Sequence, residues 1–185
     1  EVDIDGQEVL GDAVSGRQAF YPGGGSHERA DLEDRIAALE DLVFVECEPG
    51  TYDLDGNPAN GCEFTLDPQA VYVSVTDPAA ANDATCGLGP SGVAGCHPCL
   101  GIAQGQTRAG MLGRTRVLVA DGVYEESVTL TGGVSLLGGY DHDDWSRHLE
   151  SSNTILRGSG SGTHKKTVTA SGISTTTRVE GFVIQ

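Results

Sequence analysis

The chain has 185 residues, 27 acidic against 11 basic, and carries a formal charge of −16 at pH 7. Nucleic-acid affinity comes largely from Lys and Arg displacing counterions, so this surface argues against DNA, RNA and anionic membrane surfaces as partners and makes divalent cations plausible companions. Hydrophobic residues make up 38% and aromatics only 5%, which predicts a core of Val, Leu, Ile and Ala, and no stretch is long and apolar enough to span a bilayer.

Residues 1–26, "EVDIDGQEVLGDAVSGRQAFYPGGGS", hold no sustained hydrophobic period and end in Gly23-Gly24-Gly25. They read as an extended arm or linker, with neither the basic n-region nor the apolar h-region of a signal peptide. Residues 27–45 follow as a helix opened by Ser26 or His27. Leu32, Ile36, Leu39 and Val43 are spaced four, three and four apart, the rhythm of a coiled-coil seam. Two readings stand: a helix packed on its own domain, or a short oligomerising neck with those four residues as its seam.

Residues 46–69 are turn upon turn. "CEPGTYDLDGNPANGC" runs from Cys47 to Cys62, which form the natural local disulfide; a loop of this size is stabilised by about 3 kcal/mol in the chain-entropy model. Asp53, Asp55 and Asn57 have the oxygen spacing of calcium loops, with Glu63 or Asp67 a further ligand. The Gly and the twelfth-position Glu of an EF-hand are out of place, because Gly56 is early and Phe64 stands at the twelfth position. The alternative is an Asx-rich turn held by the Cys47–Cys62 bridge.

From Val71 the texture changes. "VYVSV" is a strand, followed by the loop with Cys86, Cys96 and Cys99, and "LGIAQGQTRAGML" can form a helix with Leu100, Ile102 and Ala103 on one side. Then come "TRVLVADGVY", "ESVTL", "GVSLLGGY", "NTILRG", "KTVTAS" and "TRVEGFVIQ", short strand-like runs split by Gly, Asp, Asn or Ser. No intervening helix is long enough for βαβ units. Two-residue hairpin turns are mostly missing, so the similar spacing predicts stacked coils. Gly132-Gly133 and Gly138-Gly139 are expected at or near their corners.

The stretch "VYVSVTD…CG…PCLGIAQGQTRA…RVLVADGVYEESVTLTGGVSLLGGYDHDDWSR…TILRG…VEGFVI" resembles the N-terminal part of right-handed parallel β-helix proteins of the pectin-lyase-like superfamily. Within it, the likeness is to cysteine-containing secreted proteins of myxobacteria and related deltaproteobacteria. The resemblance covers about residues 47–185. It implies an all-β right-handed solenoid over residues 70–185, with a capping helix near 100–110. It also implies a Cys86–Cys99 staple, which leaves Cys96 free or intermolecular. "CEPGTYDLDGNPANGCEF" is similar to a cysteine-rich tag of the same proteins, in which a cysteine often stands where this chain has Leu54. The chain ends within an apolar strand, "RVEGFVIQ", which predicts a longer protein or a second subunit covering that end.

Cys86, Cys96, His97 and Cys99 offer the donor set of a zinc site, but disulfides suit a secreted chain better. Asp141, His142, Asp143, Asp144 and His148 gather beside Trp145. Carboxylates beside an aromatic ring can bind sugar or act on glycosidic bonds; the competing reading is a corner loop with Trp145 folded back on the coil. No catalytic set is complete. The expectation is a non-enzymatic, secreted or cell-surface structural protein that self-associates, such as a fibre or appendage subunit, with calcium its one candidate cofactor. The rival is a carbohydrate-binding or carbohydrate-active β-helix protein of the polysaccharide lyase or hydrolase kind.

Overall fold

The computed structural model describes residues 46–151, 153–159 and 166–185. The arm at 1–26, the helix at 27–45 and the seam Leu32, Ile36, Leu39 and Val43 lie outside the described residues.

The described chain is mostly β, with one helix among short sheets. Two strands, β1 (Thr51–Tyr52) and β2 (Phe64–Thr65), pair antiparallel across the stapled segment. Next come β3 (Ala70–Val73), helix α1 (Ile102–Leu112), β4 (Arg116–Ala120), β5 (Gly122–Glu125) and β6 (Val128–Thr129). The last strands are β7 (Ser135–Tyr140), β8 (Thr154–Arg157), β9 (Val168–Thr169), β10 (Val179–Glu180) and β11 (Val183–Ile184).

These later strands pair parallel in a repeating order. β3, β4, β7 and β10 form one sheet, β5, β8 and β11 a second, and β6 and β9 a third. Thus β7, β8 and β9 add, in the same order, to the three sheets that hold β4, β5 and β6, and β10 and β11 extend the first two. Register keeps like with like: Val71, Val117, Leu136 and Val179 align on the first sheet, Tyr124, Leu156 and Ile184 on the second, and Val128 and Val168 on the third. Val71, Val117, Leu136, Tyr124, Leu156 and Val128 are buried together in one core.

β3 and β4 are apolar on both faces because both faces are covered, as expected of parallel strands. Val71, Val73, Val117 and Val119 face the first core. Ala70, Tyr72, Leu118 and Ala120 face a second core with Phe64 and Trp145. That second core departs from the composition-based expectation, since it is aromatic. Phe64 lies 6.0 Å from Tyr72, Tyr72 4.9 Å edge-on from Trp145, and Trp145 6.3 Å from Tyr140.

Helix α1 packs over β3, β4 and β6. Its buried face is Ile102, Gly105, Gln106, Arg108 and Ala109. Leu100 and Ala103, read from sequence as part of the apolar side with Ile102, are exposed. The buried polar side chains replace a strand partner. Gln106 Nε2 donates to Thr129 O and Gln106 Oε1 accepts from Thr131 N, both at 3.0 Å, while Arg108 Nε donates to Cys86 O at 3.1 Å. One side-chain amide therefore satisfies the free edge of β6, which would otherwise be open to pairing.

Gly138 and Gly139 lie inside β7 rather than at a corner. A Cβ on Gly138 would collide with the backbone carbonyl of Gly181, so the site demands glycine for close approach of two backbones. Gly132-Gly133 lies outside the strands, just before β7, with Gly133 at φ 82°.

Candidate functional site

Two chain segments bring acidic side chains together, and a small pocket lies where they meet the cysteine loop.

The first is the stapled segment. Cys47 and Cys62 are bonded with Cα atoms 5.6 Å apart, so the polar chain between them is held as a closed loop. Its carboxylates serve the loop's own backbone. Asp53 Oδ1 accepts from Gly56 N at 2.7 Å, Asp55 Oδ1 from Asn57 N at 2.8 Å, and Glu63 Oε1 from Leu54 N at 2.6 Å. Asp55 sits below the usual carboxylate range, first because the Asn57 N–H binds its charged form and next because Asn60 Nδ2 does. One ligand oxygen each from Asp53, Asp55 and Glu63 lies within 4.8 Å of the others, close enough for a single cation. Asn57 Oδ1 accepts from Ala59 N at 3.2 Å. These turn hydrogen bonds account for the acidic run as an Asx-rich loop.

The second segment follows β7. Asp141 N donates to Ser146 O, and Trp145 N donates to Asp141 O at 3.1 Å, closing a tight loop. Trp145 has a left-handed φ of 57°, among the described residues the one non-glycine with positive φ. Its ring is 5% exposed, and burial of so large a surface offsets about 1–2 kcal/mol of backbone strain. The indole N–H has no partner among the described residues. Trp145 therefore covers the second core and does not line an open sugar platform.

Asp141 Oδ1 accepts from Asp143 N at 2.8 Å, and His142 Nε2 lies 3.2 Å from Asp143 Oδ1. Asp144 is held below its ordinary range, first by the Ser146 hydroxyl. His148 is paired with Ser146 Oγ at 2.7 Å. Asp141, His142 and Asp143 present ligand atoms within 4.8 Å of one another.

A pocket of about 180 Å³ is lined by Leu54, Asp77, Ser91, Gly92, His142 and Asp143. Asp77 is 6% exposed. Its two oxygens accept from Ala79 N at 2.8 Å and Ser91 Oγ at 2.7 Å. The buried carboxylate thus ties the cysteine loop together. Nothing in the sequence singled it out, because its apposition to residues 142–143 arises only through the fold.

Cys86 and Cys99 are bonded, with Cα atoms 4.8 Å apart, and Cys96 is free. With two of its three thiols consumed, and His97 Nε2 placed 3.1 Å from Asp83, the zinc set considered from sequence does not exist. Burial pushes the Cys96 thiol up, away from reactivity. The two disulfides indicate an oxidising environment. No helix among the described residues is long and apolar enough to cross a membrane.

Compared with protein-family models, curated proteins and solved structures, the chain has no match.

Proposed function

We propose that residues 70–185 are coils of a right-handed parallel β-helix, and that the chain is a non-enzymatic structural element of a secreted or cell-surface protein. The observation that carries this reading is the order of pairing: three parallel sheets gain strands in the same sequence, circuit after circuit. A coil of this kind cannot bury its core alone, so it needs neighbours and a cap at its end. Helix α1 supplies such a cap through Gln106 and through the Glu126 carboxylate, which accepts from Ile102 N. Carboxylates committed to turn hydrogen bonds and a small pocket suit a scaffold better than a polysaccharide groove. The heptad-like spacing of Leu32, Ile36, Leu39 and Val43 in the sequence supports self-association into a fibre or appendage.

Electron microscopy of the purified chain, with its mass in solution, tests the proposal. Fibres or oligomers of defined size agree with it. A monomer that cleaves or tightly binds an acidic polysaccharide overturns it in favour of the carbohydrate-active rival.

A further inference from the structure

The chain has four asparagines, and only Asn60 is followed by glycine. Asparagine is chemically labile when the next backbone nitrogen can reach its side-chain carbon, and glycine, lacking a Cβ, leaves that approach open. Asn57 precedes Pro58, whose nitrogen bears no hydrogen, while Asn82 and Asn153 precede Asp83 and Thr154.

Among the described residues, the structure separates Asn60 from the two Asp–Gly pairs that share this chemistry. Gly56 N, after Asp55, donates to Asp53 Oδ1 at 2.7 Å. Gly122 N, after Asp121, donates to Asn153 O at 3.2 Å. Gly61 N has no hydrogen-bond partner among the described residues. Gly61 has φ 77°, and nothing lies within 4 Å of where a Cβ would be. Asn60 itself is exposed. Its Nδ2 donates to Asp55 Oδ2 at 3.0 Å, which sets a carboxylate against the nitrogen that must leave.

We propose that Asn60–Gly61 is a self-modifying site in the folded chain, converting Asn60 to aspartate or isoaspartate ahead of every other described Asx residue. The Gly61 nitrogen attacks the Asn60 side-chain carbonyl carbon, and the new C–N bond closes a five-membered imide. The bond to Nδ2 breaks, and that nitrogen departs as ammonia with the proton released by Gly61. Negative charge on Asp55 favours the positive charge developing on the departing nitrogen. Water then opens the imide at either carbonyl. The net change is amide plus water to acid plus ammonia, with no oxidant or reductant. The product places a carboxylate against Asp55, so the hydrogen bond from Asn60 is lost and a fourth acid joins Asp53, Asp55 and Glu63. This site stands independently of the β-helix reading.

The test incubates the intact, disulfide-bonded chain at mildly alkaline pH in heavy-oxygen water. Ion exchange and peptide mapping follow it, with the denatured, reduced chain as reference. The expected result is one more acidic species whose heavy oxygen maps to residue 60, while Asn82, Asn153, Asp55 and Asp121 stay unlabelled. Asn60→Gln removes that species; should this variant fail to fold, the wild-type map decides alone. An Asn60 that keeps its amide when folded but loses it when denatured overturns the proposal. Labelling at Asp55 or Asp121 before Asn60 overturns it equally.

Discussion

The carboxylate of Glu126 accepts hydrogen bonds from Ile102 N at 2.6 Å and from Ala103 N at 3.0 Å, so the first turn of α1 is capped from another part of the chain. Gly101, at the N-cap position, has no side chain to do this. Asn82 Oδ1 takes the two preceding N–H groups, of Leu100 and Gly101, at 3.0 Å each. Three of the four donors that a helix start leaves over, on Gly101, Ile102 and Ala103, are thereby met by two distant side chains, one of them negatively charged at the positive helix end. Glu126→Ala should cost about 1–2 kcal/mol, in line with loss of a helix cap. Glu126→Gln, keeping one acceptor without the charge, should cost less. Urea unfolding followed by far-ultraviolet circular dichroism measures both, and equal stability of the alanine variant would remove Glu126 from this role.

Gly105 is a helix-interior glycine whose replacement by alanine would gain about 1 kcal/mol of intrinsic propensity in an isolated helix. Here the added methyl would lie 2.5 Å from Val73 Cγ2 and 3.0 Å from Val117 Cγ1. Both valines are fully buried and stiff at χ1. Overpacking of about 1–3 kcal/mol should exceed the propensity gain. Gly105→Ala is therefore expected to lower the unfolding midpoint, whereas Gly110→Ala, with nothing within 4 Å, should raise it. A stabilised Gly105→Ala would show that α1 rides loosely over β3 and β4.

These contacts mark the boundary of what the sequence discloses. The short β-rich runs between turns at 116–120, 122–125 and 154–157 are legible because local hydrophobicity and glycine punctuation agree with the final strands. The helix is legible by position but not by face. Gln106 and Arg108 are buried because Thr129, Thr131 and Cys86 meet them there, and no periodicity encodes such partners. Gly138 looks like a corner until Gly181 is placed against it. Most of the aromatic core is invisible for the same reason: Tyr52, Phe64 and Tyr72 are single residues scattered along the chain, and only Trp145 is readable as folded back on it. In the candidate site, the Asp141–Asp143 run was readable because its members are adjacent. Asp77 was not, since its place in the pocket depends on Ser91 and the loop carrying His142.

Asp83 gives the cysteine loop a dependence on acid. Its carboxyl is lowered to about 2, first by the Thr85 N–H, then by the Thr85 hydroxyl, with His97 contributing less. A carboxylate whose folded pKa lies below the unfolded value of about 3.9 stabilises the fold above that value and loses its contribution as pH falls toward 2. The urea midpoint should fall across this window. Asp83→Asn should be less stable at neutral pH and show a shallower decline between pH of about 4 and 2. Parallel curves for the two proteins over that window would disconnect Asp83 from acid sensitivity.

Leu54 and Cys96 pack against the same aromatic core. Leu54 lies against Gly92, whose Cβ position is 3.3 Å from Leu54 Cα, and Cys96 N closes the adjoining turn on Val93 O at 2.9 Å. Both residues therefore border the same part of the cysteine loop, Leu54 from the stapled segment and Cys96 from the loop itself. Leu54→Cys is expected to form a third disulfide with Cys96, joining two loops that are each already stapled. The chain-entropy model sets the gain at about 2–4 kcal/mol, less the loss of leucine packing at about 2 kcal/mol. Mass spectrometry of the unreduced protein, digested between the cysteines, shows the linkage directly, and the thermal midpoint before and after reduction shows its contribution. Two free thiols in folded Leu54→Cys would mean that the loops are held apart at this point, and that Cys96 answers to a partner elsewhere.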